Sequence, residues 1–242
     1  MPDELAARLA AVRDQVRAAA LRVGRDAASV AIIAVTKTLP PEAVRAALAV
    51  GLDDIGENYV QEARAKRAVL GAGGTWHLIG ALQRNKARLA VATFDHVETV
   101  DSVAVARTLA IEAGRAGRRL PVSIQVNAAA DPRKRGLGPE DATALAETIL
   151  GLGELDLRGL MTIGPMGSTA GSRSCFRLLR ELRDAVENRL GVELPHLCMG
   201  MSGDFPVAVE EGATLLRLGR ALFGERGPGS WRPGPSAGGE GS

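Results

Sequence analysis

Eight short runs rich in β-forming residues alternate with longer stretches of helical periodicity, and this alternation limits the fold more than any other feature. The runs are 30–37, 53–58, 75–80, 96–100, 121–127, 157–163, 196–202 and 214–219, and helical patterns cover 41–50, 59–70, 84–92, 102–116, 139–150, 172–190 and 204–211. Such alternation implies βαβ units on a parallel sheet, because each parallel crossover needs a covering helix. Eight strands in 242 residues predict an α/β fold, a single (β/α)8 TIM-type barrel. An open doubly wound sheet is the alternative, and no Gly-x-Gly-x-x-Gly turn separates the two. Ahead of the first strand, Leu5, Leu9, Val12, Val16 and Val23 predict a helix, with Asp3 as its cap and Gly24 as its stop. Residues 227–242 are dominated by Gly, Pro and Ser and read as a disordered tail. The expected organisation is one barrel domain over 1–226 followed by that tail.

Composition narrows the class of function. Thirty basic against twenty-eight acidic side chains leave a net charge of +2, so nothing points to nucleic acid or an anionic membrane. No apolar run approaches the roughly 20 residues a bilayer requires. The start, Met1-Pro-Asp-Glu4, reads against a secretory leader. Cys175 and Cys198 show neither metal spacing nor a disulfide framework, which suits a reducing cytoplasm. With only four Phe, two Trp and one Tyr, the core must be built from Leu, Val, Ile and Ala.

In a barrel the active site forms at the C-terminal ends of the strands, which reduces the search to eight places. The first strand ends in Lys37, on the same face as Ala31, Ile33 and Val35. Desolvation there would favour a neutral amine able to attack an aldehyde; a strand-end lysine reaching solvent is the plainer alternative. Strands seven and eight run into Gly200-Met201-Ser202-Gly203-Asp204 and Arg217-Leu218-Gly219-Arg220. Small residues in these two loops are what a barrel phosphate site uses, and they also make ordinary tight turns. Alternation turns Arg217 inward, where it needs a carboxylate such as Glu57, a phosphate or a ring nitrogen. Asn58 either orients a ligand or caps the next helix. His77 reads first as a hydrogen-bonded core residue. The clusters Arg64–Arg67 and Arg133–Arg135 read as solvated faces. His96 and His196 share no metal-ligand spacing with each other or with the cysteines, so no metal site is expected.

Six motifs in order carry a resemblance: Val35-Thr-Lys37-Thr38, Gly56-Glu-Asn-Tyr-Val-Gln-Glu62, Trp76-His-Leu-Ile-Gly-Ala-Leu-Gln-Arg-Asn-Lys86, Arg158-Gly-Leu-Met161, Met199-Gly-Met-Ser-Gly-Asp204 and Arg217-Leu-Gly-Arg-Ala-Leu-Phe-Gly224. Together they resemble the pyridoxal phosphate homeostasis proteins, from about residue 5 to Gly224. The resemblance implies a barrel like the N-terminal domain of alanine racemase, carrying pyridoxal 5′-phosphate (PLP) as a Schiff base on Lys37. It also implies phosphate contacts from Ser202 and from the backbone at Gly219 and Arg220. Arg217 would face the pyridine nitrogen, Asn58 would lie near the ring, and His77 and Met201 would lie close by. Members of that family carry Thr or Ser where Arg220 stands, so one hydroxyl donor is missing here.

The implied activity is to carry or buffer PLP with little turnover, with apo PLP-dependent enzymes as candidate recipients. The alternative is a PLP-dependent amino-acid racemase. Racemisation needs a second acid/base group, which alanine racemase takes from a partner's tyrosine, whereas the one tyrosine here is Tyr59. A lysine aldolase using Glu57 as its acid fits the motifs less well. The scarcity of aromatic residues and of unpartnered apolar stripes favours a monomer.

Overall fold

The computed structural model describes residues 2–165 and 167–225, together with Trp231. Its eight strands are β1 (Ala31–Val35), β2 (Asp54–Glu57), β3 (Thr75–Leu78), β4 (His96–Val100), β5 (Leu120–Gln125), β6 (Leu155–Met161), β7 (His196–Cys198) and β8 (Leu215–Leu218). Each is parallel to the next, and β1 pairs with β8 through Ala31↔Leu215 to Ala34↔Leu218. That last pairing closes the barrel and excludes the open sheet. Helices α1 (Pro2–Arg22), α2 (Pro41–Ala49), α3 (Val60–Leu70), α4 (Ala87–Thr93), α5 (Val103–Arg115), α6 (Ala142–Leu150), α7 (Thr169–Leu190), α8 (Phe205–Glu210) and α9 (Arg220–Phe223) complete the described chain. No described helix is long and apolar enough to cross a membrane.

Local chemistry explains the helix boundaries. Ser102 and Ser168 cap α5 and α7 by accepting backbone N–H bonds from Val105 and Gly171. Pro41 stands in the first turn of α2, where its missing N–H costs nothing. Gly191 ends α7 in the left-handed conformation at φ +65°. Helix α1 starts at Pro2, so Asp3 lies in the first turn instead of capping it, with Glu4 beside it; both favour the positive end of the helix dipole. Leu5, Leu9, Val12 and Val16 lie on the predicted helix and are buried, while Val23 lies past the helix end and is exposed. Of the expected tail, residues 227–230 and 232–242 lie outside the described residues; Trp231 donates its backbone N–H to the Thr38 carbonyl at 2.9 Å.

Outward strand residues such as Ala34, Ile55, Trp76, Leu216 and Leu218 pack against the helices in one continuous core. The barrel interior is different. Ile33, Met161, Cys198 and Leu215 form a small apolar cluster, and a group of buried polar side chains lies on the same inner face. His77, His96 and His196 stack in sequence, with centroid separations of 5.4 and 5.5 Å. His77 Nδ1 lies 2.9 Å from Glu98 Oε1 and Nε2 lies 3.0 Å from Asp54 Oδ1. His96 Nε2 lies 3.1 Å from Ser123 Oγ. The barrel also brings ligand-type atoms of His77, His96 and Glu98 within 4.8 Å of one another, a grouping that linear spacing does not reveal.

Charge in this stack is set by burial and hydrogen bonding together. Burial alone would lower the His77 pKa, but hydrogen bonds to Asp54 and Glu98 outweigh it and raise the value to about 9. Burial lowers His96 to about 4, so it is neutral at physiological pH. Burial works against the Glu98 carboxylate, yet the neighbouring histidines hold its pKa well below the usual range. Since His96 is neutral, the His77 imidazolium is the cation that offsets Glu98. The raised His77 pKa stabilises the fold fully below about 6.5 and is lost as pH rises through about 9. His77→Gln is expected to cost about 2–4 kcal/mol at pH 6, a deficit that narrows above pH 9. Denaturant melts of both proteins at pH 6 and 9.5 check this; a deficit independent of pH would show that the imidazolium is not the stabilising form.

Candidate functional site at the mouth of the barrel

The C-terminal end of β1 leads into a turn closed by the Leu39 N–H donating to the Thr36 carbonyl at 3.0 Å. Lys37 occupies this turn, half-buried. Its neighbour Thr38 has φ +63°, a left-handed conformation that costs a residue with a Cβ roughly 1–2 kcal/mol. The turn persists because its backbone is held from behind. Glu62 Oε1 accepts the Thr38 N–H at 2.5 Å, and Lys66 Nζ donates to the Thr36 carbonyl at 2.7 Å.

Lys66 is fully buried, which corrects the reading of Arg64–Arg67 as a solvated face. Its ammonium also donates to Glu57 Oε1 at 2.7 Å and to Glu62 Oε1 at 2.6 Å. Glu57 therefore faces the helix layer, where Thr36 Oγ1 donates to it at 2.6 Å. Its ion pair is with Lys66, so among the described residues the pairing weighed for Arg217 is not formed. Burial pushes the Glu57 carboxyl up to about 7 against the opposing pull of Lys66.

A raised acid pKa contributes stability that is present below its unfolded value and lost as pH rises through the folded value. Glu57→Gln keeps the hydrogen-bonding shape without the charge. It is expected to leave the melting temperature at pH 5 nearly unchanged and to raise it, relative to the parent, at pH 8. Calorimetry at the two pH values checks this, and a uniform loss at both would show that the carboxylate charge is required.

On the opposite side of β1, strands β7 and β8 present the second half of the mouth. Arg217 is 5% exposed. Its NH1 donates to the Cys198 carbonyl at 2.7 Å and lies 3.1 Å from Cys198 Sγ, and NH2 donates to the Thr162 carbonyl at 2.7 Å. These partners are all neutral, and burial pushes the Cys198 thiol up to about 12. The guanidinium is thus oriented without having its charge cancelled by a contacting carboxylate. After β7, Gly200 adopts φ +92°, and a Cβ there would lie 2.5 Å from the Ala208 side chain; only glycine lets this loop pass α8 so closely. Asp204 Oδ1 accepts the Met201 N–H at 2.7 Å and Oδ2 accepts from Ser172 Oγ at 3.1 Å, pinning the Met201–Ser202–Gly203 turn to α7.

Ser202 Oγ accepts the Ala221 N–H at 3.1 Å, which joins the loop after β7 to α9. Gly219 is the residue before α9 and Arg220 opens it. The Arg220 side chain is 64% exposed and lies 3.6 Å from Glu225, so only its backbone sits at the loop junction. Asn58 follows β2 with a half-buried side chain. The α3 cap position belongs to Tyr59, which removes the helix-cap reading of Asn58. His77 has both ring nitrogens committed to Asp54 and Glu98. What it can offer a ligand is ring surface, with no free donor or acceptor.

Lys134 also departs from the solvated reading of Arg133–Arg135, because its ammonium donates to the Ile163 and Gly164 carbonyls at 3.2 and 2.6 Å. Sequence reasoning missed Glu62, Lys66 and Asp204, although each lies inside or beside a quoted motif. Among the described residues, Lys37, Ser202, Arg217 and the Gly219–Arg220 junction are therefore on the strands and loops either side of the β1–β8 seam.

Comparison with known proteins gives this arrangement a family. Residues 8–227 match the family described as alanine racemase, N-terminal domain. The pyridoxal phosphate homeostasis protein of Pseudomonas aeruginosa is 43% identical over 224 residues, covering 92% of this chain and 96% of that protein. Its counterpart in Escherichia coli K12 is 37% identical, covering 93% and 97%. PipY of Synechococcus elongatus, solved with PLP bound, superposes with a TM-score of 0.80 at 40% identity, covering 91% of this chain and all of that one. Alanine racemase of Clostridium difficile shares the fold, with a TM-score of 0.74 at 15% identity. The chain belongs to the pyridoxal phosphate homeostasis proteins, within the family of the alanine racemase N-terminal domain.

Proposed function

We propose that this protein binds PLP at the mouth of its barrel through a Schiff base on Lys37, and carries or buffers the cofactor with little turnover of its own. The observation that supports this most directly is Arg217, a buried cation that, among the described residues, is hydrogen-bonded to neutral groups. A buried guanidinium without a carboxylate is costly, and a ligand bearing a phosphate or a ring-nitrogen lone pair would offset that cost. PLP has both, and it supplies an aldehyde and an electron-withdrawing ring. The PLP-bound PipY structure adds weight from a relative.

In this reading the Lys37 amine condenses with the aldehyde and releases one water, while Asn58 lies beside the ring and Met201 lines the loop near it. Ser202 Oγ and the backbone N–H groups of Gly219 and Arg220 hold the phosphate. Arg217 faces the pyridine nitrogen as a donor and keeps that nitrogen from carrying a proton. The ring is then a weaker electron sink than one paired with an acid. Tyr59, the one tyrosine in the sequence, is 56% exposed beside the start of α3, a poor setting for the second base that racemisation needs. Both cysteines are free and buried, in keeping with the cytoplasm as the place of action. Recipients of the cofactor would be apo PLP-dependent enzymes.

The test is absorbance of the purified protein with PLP, before and after borohydride, followed by peptide mass mapping. A violet-absorbing band that borohydride removes, with the adduct on Lys37, is expected. Lys37→Ala should abolish the adduct and keep measurable retention through the phosphate contacts; an unchanged band would refute the assignment of Lys37. Rapid racemisation of any L-amino acid would overturn the carrier reading. Because the Arg220 side chain turns to Glu225, Arg220→Ala is expected to change PLP affinity by less than about twofold. A larger loss in a binding titration would place that side chain on the phosphate.

A further inference from the structure

Lys37 lies between two backbone groups that are both held by buried charged side chains of α3. The carbonyl before it, Thr36, accepts from Lys66 Nζ at 2.7 Å, and the N–H after it, Thr38, donates to Glu62 Oε1 at 2.5 Å. Lys66 and Glu62 contact each other at 2.6 Å as an i,i+4 pair, so one ion pair grips the turn on both sides. All three donors of the Lys66 ammonium are used, the third by Glu57 at 2.7 Å. Such burial gives the contacts strength, because a charge-assisted bond shielded from water is worth more than an exposed one. The segment held this way includes a non-glycine residue in the left-handed region, which would otherwise relax. Trp231 adds to the same place: its N–H donates to the Thr38 carbonyl at 2.9 Å, and its ring centre lies 5.4 Å from Lys66 Nζ.

We infer that Glu62 and Lys66 are positioning residues that hold the backbone on both sides of Lys37 so that its amine is presented to the cofactor. The inference rests on Lys37 being the PLP lysine. It predicts an effect that passes through Lys37 alone, which a general contribution to folding would not do.

A double-mutant cycle on the full chain, read by PLP titration and by borohydride trapping, separates the two. In the parent, Glu62→Ala and Lys66→Met should each weaken PLP binding at least tenfold, equivalent to about 1.4 kcal/mol, and slow adduct formation. In the Lys37→Ala background the same changes should alter retention of PLP by less than twofold. Glu62→Gln keeps an acceptor for the Thr38 N–H and should bind within about threefold of the parent. If Lys66→Met fails to fold, the Ala and Gln variants at Glu62 decide the matter.

Equal losses in both backgrounds would make the pair merely structural and overturn the inference while leaving the PLP reading intact. Unchanged binding in every variant would overturn it as well. A parent protein that forms no adduct on Lys37 would remove the PLP reading itself, and with it the role assigned here.

Discussion

The pairing of β1 with β8 is the contact on which the rest of the molecule depends. It sets Ala34 beside Leu218, and a few residues further along both strands come Lys37 on one side and the Gly219–Arg220 junction on the other. An amine from the beginning of the barrel and small-residue loops from its end, some 180 positions apart in the chain, are made neighbours by one parallel ladder. Without closure these elements would sit at opposite edges of an open sheet, and no single ligand could reach both.

Closure also divides every strand into an inner and an outer face, and the charges on the two faces are satisfied differently. On the outer face Lys66, Glu57 and Glu62 form a compact group with the backbone of the Lys37 turn. On the inner face His77 bridges Asp54 and Glu98. Both solve the cost of burying a charge by supplying an opposite charge and several hydrogen bonds. Arg217 follows neither pattern. Among the described residues its donors go to two carbonyls and a thiol, which fix its orientation without a direct carboxylate partner.

Much of this was legible in the sequence, for a physical reason: alternation along a strand is local, and so is helical periodicity. All eight strands and the helices between them follow from it, and the rule that barrel sites lie at strand C-termini then isolates Lys37, Ser202 and Arg217. What was not legible depends on contacts between distant segments. Lys66 sits in a run of basic residues with Arg64 and Arg67, and nothing in that run says which member turns inward. Its burial follows from Glu57, nine positions earlier, and from the Thr36 carbonyl in the turn after β1. The direction of Glu57 depended on the register of β2 against β1, where Gly56 pairs with Val35; a shift by one residue would turn it into the mouth. Thr38 shows the same limit. Its left-handed backbone is maintained by Glu62, a carboxylate 24 residues away.

The proposed carrier role requires a cofactor held firmly enough to be retained and loosely enough to be released, and the two halves of this mouth suit those opposing demands. On the β1 side the turn is held by buried ionic contacts from α3. The β7–β8 side is built from a short loop and a single turn of helix, joined by one hydrogen bond from Ala221 N–H to Ser202 Oγ. A phosphate there would compete for the Ser202 hydroxyl, which is an acceptor in this structure and can also act as a donor. Phosphate binding on that side would therefore exchange one hydrogen bond for others, with a small net gain. In the proposed role, specificity for an aldehyde would come from Lys37, and retention would rest on contacts that are individually modest. Such a division would allow the proposed covalent bond to reverse with water and the phosphate to leave, without the barrel itself having to open.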